Sequence, residues 1–141
     1  MSKKKLIRFG VSLNLNLLAD FDYLIRAEKY KNRSQAIADL IKERLISSKW
    51  KRADKQVAAV VSLVYNHHQR ALVNKIVNVQ HDFQKLIIST QHIHLDHDNC
   101  LEIIATKGKV KEIINLTHRL RAIKGIKHAS LTTTTSGRDF S

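Results

Sequence analysis

The chain begins with a segment in which apolar and polar side chains alternate. Between residues 6 and 13 every second residue is apolar, and this period predicts a half-buried β-strand. Apolar residues at helical spacing then predict a first helix capped by Asn14. After a polar break, in which Asn32 and Ser34 are competing caps, a second helix is predicted to extend to about Ser48. This part of the chain therefore predicts one strand followed by two helices.

Beyond this module, segments with the apolar period of a strand alternate with segments that have the period of a helix. They predict a second, larger module. A β-branched strand, a helix, a hairpin of two strands, a helix and a last strand follow one another, and Gly125 is a candidate cap at the end of the second of these helices. The predicted bounds are 57–65, 67–80, 85–94, 100–106, 110–124 and 126–134. This βαββαβ order is the ferredoxin-like arrangement. We therefore predict an α+β protein with an N-terminal domain over 1–48, a linker over 49–55, a C-terminal domain over 56–134 and a flexible tail over 135–141.

The N-terminal strand cannot bury its apolar face or satisfy its edges alone. A strand from a second chain would complete a two-stranded antiparallel ribbon above four helices, which is a ribbon-helix-helix dimer. Such a ribbon fits the DNA major groove, and the free N–H groups at the start of the second helix can bind a phosphate. The candidate DNA-binding residues are Arg8, Gly10, Ser12, Asn32, Arg33 and Ser34. The alternative is a module that only dimerises, with Arg8 as an ordinary surface charge.

Charge favours a polyanionic partner. The formal net charge is +13, and residues 1–55 hold 14 basic and 6 acidic side chains. No apolar run has the roughly 20 residues that a membrane span needs, and no signal-peptide core follows Lys3, Lys4 and Lys5. The single cysteine excludes an internal disulfide framework. We therefore expect a cytoplasmic protein that binds double-stranded DNA and does not bind a membrane.

The histidines near that cysteine predict a metal site. His92 and His94 lie at alternate positions of one predicted strand, and the turn after them returns Cys100 on the neighbouring strand. His81 is a candidate fourth ligand, and His97 in the turn is a weaker one. Imidazole and thiolate donors suit Ni, Cu or Zn, among which the spacing does not choose. The remaining histidines are interpreted as ordinary surface or core residues: His67, His68, His118 and His128.

Two other classes of protein remain open at this point. A catalytic metal needs an open coordination position and a nearby acid or base, and Asp96, Asp98 and Glu102 are close in sequence. Four protein donors would close the site, however, and no catalytic triad order or phosphate-binding glycine loop is present, so we do not expect an enzyme. The third possibility is a DNA-binding protein whose C-terminal domain binds a small amino acid, with incidental histidines.

The residues that carry these predictions resemble the nickel-responsive regulator (NikR) family. The likeness covers about residues 6–134 and is most specific where a His-x-His-x5-Cys motif follows a ribbon-helix-helix start. The matching segments are Ile7-Arg8-Phe9-Gly10-Val11-Ser12-Leu13, Tyr30-Lys31-Asn32-Arg33-Ser34-Gln35-Ala36-Ile37, Val79-Gln80-His81 and the run from His92 to Glu102.

The resemblance implies a homotetramer in which four ACT-like C-terminal domains carry two DNA-binding dimers. It implies one planar Ni(II) per chain, bound by His92, His94 and Cys100 of one protomer and His81 of another. Glu102 matches an acidic position that contacts a ligand instead of the metal. The resemblance also implies that nickel promotes binding to a two-fold operator and that the protein acts mainly as a repressor of genes for nickel uptake or use.

Three positions depart from the family pattern. Gly10 stands where members often carry Thr or Ser, which removes one side-chain contact to a base. Gln35 replaces an acidic residue that, together with the residue at the position of Asp39, can hold a second cation in the family. The sequence therefore does not decide whether this chain has that second site. Gln84 stands where some members have a further histidine. The basic arm Lys3–Lys5 is interpreted either as a source of DNA contacts or as a solvated tail.

Overall fold

The computed structural model describes residues 4–140, which divide into two compact units with the boundary between Ile41 and Lys42. Lys3 of the basic arm and Ser141 of the predicted tail lie outside the described residues. The boundary between the units falls within the second helix, and the extent of a DNA-binding domain over 1–48 stays a prediction. No helix within residues 4–140 combines the length and the apolar character needed to cross a lipid bilayer.

Two helices dominate the first unit, as the spacing of apolar residues predicts. Helix α1 spans Leu15–Ala27, and the Asn14 side chain caps it by accepting a hydrogen bond from the backbone N–H of Asn16 at 2.9 Å. Helix α2 spans Arg33–Lys49. Asn32 provides its cap, because its side-chain oxygen accepts the backbone N–H of Gln35 at 2.9 Å.

The predicted N-terminal strand depends on a second chain, and a single chain does not test it. Residues 4–14 form neither helix nor strand, and their apolar side chains are exposed. Phe9, for example, keeps 70% of its surface accessible. A strand exists only through hydrogen bonds to a neighbour, and alternation alone cannot supply one. The two-chain ribbon therefore stays a prediction.

The second unit has the predicted βαββαβ order. Its elements are β1 (Gln56–Asn66), α3 (Arg70–Asp82), β2 (Ile87–His94), β3 (Asn99–Lys109), α4 (Val110–Arg121) and β4 (His128–Thr133). The strands form one antiparallel sheet in the order β2-β3-β1-β4. The α+β class and the split βαβ topology are thus confirmed for this unit.

One face of the sheet is covered by α3 and α4, and we call it the helix-covered face. Alternate residues of β1 and β3 point towards it and are buried, while the residues between them are half-buried on the opposite face. The core joins Leu63 and Ile104 of the sheet to Ile76 of α3 and Leu116 of α4. Burial of these apolar side chains is the main source of stability for this unit.

Several ends of elements differ from the prediction. Helix α4 stops at Arg121 with Ala122 as its cap, so Gly125 is not the cap. Gly125 instead takes a φ of +105° in the turn before β4, a conformation that favours glycine. Strand β3 continues to Lys109, because β1 still pairs with it at Val57 opposite Gly108.

The predicted linker and tail are parts of the second unit, and side-chain contacts hold both in place. The Trp50 indole donates a hydrogen bond to the Thr134 carbonyl at 2.9 Å and thereby ties the linker to the residue after β4. Arg138–Phe140 form a short 3-10 helix, and Lys49 forms an ion pair with Asp139 at 2.7 Å. The flexibility of the tail stays a prediction.

Candidate metal centre

The hairpin of β2 and β3 places the predicted ligands opposite one another. In its register His94 lies across from Cys100, and His92 lies across from Glu102. Side chains directly opposite each other on neighbouring strands share a face. Cys100 and Glu102 are buried on the helix-covered face, so both histidines belong to the same end of that face. Tyr65 of β1 joins them, since it pairs with Cys100 from the other side.

The structure brings the predicted ligands Cys100 and His92 close together. The thiol is free and only 1% exposed, and its sulfur lies 4.0 Å from Nδ1 of His92. The imidazole is itself half open to solvent, with 54% of its side chain accessible. A thiolate in such a buried position needs a cation beside it, and nitrogen with sulfur is the donor combination that borderline divalent ions prefer. These two residues therefore fit one side of a site for a borderline divalent ion.

Glu102 lies behind this pair in a hydrogen-bond network. Its carboxylate is 1% exposed and accepts bonds from the Tyr65 hydroxyl at 3.1 Å and the Gln80 amide at 2.8 Å. Burial, with Glu102 as the next cause, raises the pKa of Tyr65, so the hydroxyl stays protonated and donates. The Glu102 oxygen that accepts from Gln80 also lies 3.3 Å from Nε2 of His92. A proton held on Nε2 leaves the Nδ1 lone pair facing Cys100, which is the tautomer a metal would need.

His94 has a partner that the sequence analysis missed. Its ring stacks on that of His67, with 4.5 Å between centroids. Nδ1 of His67 is buried without a hydrogen-bond partner, and burial, followed by the charges of His68 and His94, lowers the pKa of His67. His67 was interpreted as an ordinary residue because it lies far from His94 in sequence. No local signal in the sequence indicates this contact, because it depends on the order of the strands in the sheet.

His81 does not join the other predicted ligands within one chain. It is exposed in the last turn of α3, although its neighbour Gln80 reaches the network at Glu102. Among residues 4–140 the one group of three or more metal-binding side chains with all donor atoms within 4.8 Å of one another is His68, His97 and Asp98. The predicted set of four donors is therefore not assembled by a single protomer.

The candidate DNA-binding residues of the first unit fall into two groups. Arg8, Gly10 and Ser12 are exposed in the N-terminal segment, and a side chain added at Gly10 would meet no atom within 4 Å. The second group is at the start of α2, where Ser34 is exposed and Asn32 provides the cap described above.

Arg33 in this second group already has a partner. Its guanidinium donates two hydrogen bonds to Asp22, at 2.8 and 2.7 Å, and thereby ties the start of α2 to α1. Side-chain hydrogen bonding from Arg33 lowers the pKa of Asp22.

We expect this ion pair to stabilise the protein only while Asp22 is ionised. Because its pKa is lowered on folding, its contribution is present above the ordinary value of about 3.9 and is lost as the pH falls through the folded value. Asp22→Asn should therefore flatten the acid side of the stability profile measured by urea unfolding. Asp20→Asn, two residues earlier on α1, serves as the control and should leave that side steep. Identical profiles for the wild type and Asp22→Asn would show that the pair contributes nothing.

Known proteins resemble this chain over nearly its whole length. A protein of Syntrophus aciditrophicus named as a nickel-responsive regulator is 53% identical over 89% of this chain and 91% of its own length. One of Pyrococcus furiosus with the same name is 42% identical over 96% of this chain and 98% of its own. An uncharacterised protein of Thermotoga maritima shares the fold alone, with a TM-score of 0.53 and 12% identity over 57% of this chain and all of that one.

A family model reaches the same result from the second unit. The model described as the NikR C-terminal nickel-binding domain matches residues 58–134, which include β1 to β4 and the residues around Cys100. The structure, the metal-ligand pattern and the full-length relatives agree, and the chain belongs to the nickel-responsive regulator family.

Proposed function

We propose that this protein is a nickel-dependent transcriptional regulator, mainly a repressor, that binds a two-fold DNA operator when Ni(II) occupies its C-terminal sites. The observation that carries the proposal is the buried Cys100 thiol beside Nδ1 of His92, with Glu102 on the far side of the ring. Relatives named as nickel-responsive regulators support a regulator over an enzyme or an amino-acid-binding protein.

The metal would be held by residues of two chains. His92, His94 and Cys100 come from one protomer, and the exposed position of His81 suits a ligand offered to a neighbour. One nickel ion per chain would then link two chains through nitrogen and sulfur donors. The Glu102 carboxylate, 3.3 Å from Nε2 of His92, would favour a proton on that nitrogen, and Tyr65 and Gln80 hold the carboxylate in place.

A tetramer gives the sheet a partner on its second face. The face opposite α3 and α4 carries half-buried apolar side chains on the two central strands, among them Val60 and Val64 of β1 and Leu101 and Ile103 of β3. Apolar side chains in a contiguous patch are typical of protein interfaces. We infer that the ACT-like domains assemble through such surfaces into a dimer of DNA-binding dimers.

The N-terminal segment would read the operator as a ribbon from two chains. The exposed apolar side chains at Ile7, Phe9 and Val11 would be buried under it, and Arg8 and Ser12 would face the bases. Asn32, Arg33 and Ser34 would lie at the phosphate backbone, where Arg33 has to exchange or share its bond to Asp22. Gly10 would allow close approach without a base contact of its own.

The test is duplex binding with and without nickel. Full-length protein is mixed with a pool of fragments of its own genome, and bound duplexes are recovered with Ni(II) or with a chelator present. We expect specific, two-fold related sequences to be recovered only with nickel, and the affinity to fall steeply with added salt. Recovery of the same sequences in the presence of chelator would contradict nickel dependence, and recovery of no specific sequence in either case would contradict the regulator itself.

A further inference from the structure

The C-terminal tail contacts the region where α2 ends and the linker begins. Residues 134–140 follow β4 and end in the short 3-10 helix described above, and we call them the tail strap. The Thr134 carbonyl accepts the hydrogen bond of the Trp50 indole at 2.9 Å, and the Asp139 carboxylate forms the ion pair with Lys49 at 2.7 Å. The tail strap therefore joins the first and the last segments of the second unit.

Hydrogen bonds within the tail strap direct the Asp139 carboxylate towards Lys49. The Thr135 hydroxyl donates to this carboxylate at 3.3 Å and accepts the backbone N–H of Gly137 at 3.2 Å. Gly137 takes a φ of +86°, a conformation that favours glycine. The hydrogen bond from Lys49 lowers the pKa of Asp139, so the carboxylate is ionised at neutral pH. The tail strap thus holds a negative charge beside the positive charge at the end of α2.

The linker after α2 is attached to the second unit at both of its ends. At the end next to β1, the backbone N–H groups of Val110 and Lys111 donate to the carbonyls of Lys55 and Ala53, each at 3.0 Å. At the end next to α2, Trp50 packs against the apolar core of the second unit and donates to the tail strap. A short segment that is attached at two points cannot act as a free hinge while both attachments hold.

Helix α2 passes from one unit into the other without a break. It spans Arg33–Lys49, and the boundary between the units lies between Ile41 and Lys42. The candidate phosphate contacts lie at its start, and the tail strap binds Lys49 at its end. While the strap is attached, the last turns of α2 move with the second unit. When the strap is released, the freedom of the first unit depends on the linker as well as on α2 itself.

The tail strap is held by few contacts and can be released without opening the core. The Lys49 and Asp139 side chains are 23% and 44% exposed, and exposed ion pairs stabilise proteins only slightly. A cleft of about 350 Å³ lies where Phe140 of the strap approaches Leu45 and Ile46 of α2, so apolar packing does not seal the strap in place. Segments with few buried contacts open locally at a small fraction of the free energy of global unfolding.

We propose that the tail strap is a regulatory element that clamps the end of α2 to the second unit and so limits the movement of the first unit. Its effect on DNA rests on the proposed function. A unit that moves freely loses more conformational entropy when an operator orders it, so release of the strap weakens duplex binding. Nickel affinity stays the same, because the strap contacts Lys49 and Trp50, which are not among the predicted metal ligands.

The first measurement is hydrogen exchange of the full-length, metal-free protein, followed by mass spectrometry over residues 45–55. We expect Asp139→Asn to raise the exchange rate of this segment about threefold or more, since it removes the negative charge that Lys49 binds. The paired strands β1 and β3 should exchange as in the wild type. Asp54→Asn is the matched control, because it removes an exposed carboxylate from the linker, outside the strap contacts, and should leave the rate unchanged.

The second measurement compares nickel affinity, from competition with a chelator, with duplex affinity at saturating Ni(II). We expect Asp139→Asn to lose about three- to tenfold in duplex affinity while its nickel affinity stays at the wild-type value. Trp50→Phe removes the indole donor to Thr134 and should change both the exchange rate and the duplex affinity in the same direction. Asp54→Asn should retain both affinities.

The proposal is overturned if Asp139→Asn exchanges at the wild-type rate, if Asp54→Asn raises the rate equally, or if exchange rises while duplex affinity is unchanged. Failure of the proposed function gives a different result, in which the wild type itself binds no specific duplex. The effect on DNA is then overturned as well, while the exchange rates still decide whether the strap clamps α2.

Discussion

Cys100→Ser is expected to abolish the thiolate-to-nickel absorbance and to lower nickel affinity on the order of 100-fold or more. Serine is similar in size, but its hydroxyl stays protonated at neutral pH and is a hard donor that borderline ions bind poorly. His92 and His94 remain, and alone they offer the ion two imidazoles of one chain. Nickel-dependent duplex binding should disappear with the affinity, because a regulator responds only to the difference in metal affinity between its states.

The same variant needs a measurement that separates metal binding from folding. Cys100 is 1% exposed, so a buried serine hydroxyl costs about 1–3 kcal/mol if it finds no partner. Urea unfolding of the metal-free protein measures this cost directly, and we expect a folded protein with a modest loss of stability. Unchanged nickel affinity, determined by competition with a chelator of known affinity, would show that the sulfur is not a ligand.

The hairpin that carries the site could be predicted because its signals are local. Alternation gave both strands, and the run Asp96–Asn99 has the composition of a turn. Once the turn is placed, the period of two puts His92 and His94 on the face of Cys100, and the observed register agrees. The same local reasoning predicted the caps at Asn14 and Asn32.

The surroundings of the site could not be predicted, since they depend on contacts between distant elements. Tyr65 on β1 and Gln80 on α3 reach Glu102 only after the sheet is ordered β2-β3-β1-β4 and α3 packs on it. His67 and His68 meet the hairpin for the same reason. Two adjacent histidines after a strand carry no signal that tells which turn they will face.

The N-terminal segment stays a prediction for a different reason. Its alternation is a clear local signal, yet residues 4–14 form no strand in the single chain. The hydrogen-bond partner that makes such a pattern a strand has to come from outside the protomer. Phe9 and its apolar neighbours are exposed in the single chain, as expected for a strand whose partner has to come from a second chain.

Glu102→Gln should weaken nickel binding by about 10–100-fold while leaving the fold nearly as stable as before. The carboxylate accepts hydrogen bonds from Tyr65 and Gln80, and one of its oxygens lies 3.3 Å from Nε2 of His92. A glutamine oxygen can still accept from Tyr65, and the Gln80 amide can turn to present its own oxygen. The new NH₂ group, however, donates to Nε2 of His92 and favours the tautomer with its proton on Nδ1, the nitrogen that faces Cys100.

The measurement compares chelator-competed nickel affinity with the unfolding free energy of the metal-free protein. Glu112→Gln is the matched control, because Glu112 is an exposed glutamate on α4, outside the Glu102 network. Glu102→Ala is the more disruptive variant. It removes the carboxylate that accepts from the buried Tyr65 hydroxyl and the half-buried Gln80 amide, and a buried polar group that loses its partner costs about 1–3 kcal/mol. If Glu102→Gln binds nickel as tightly as the wild type, the carboxylate is a packing element only. If it loses affinity and stability together, as Glu102→Ala should, its effect on nickel comes through the fold and not through the proton on His92.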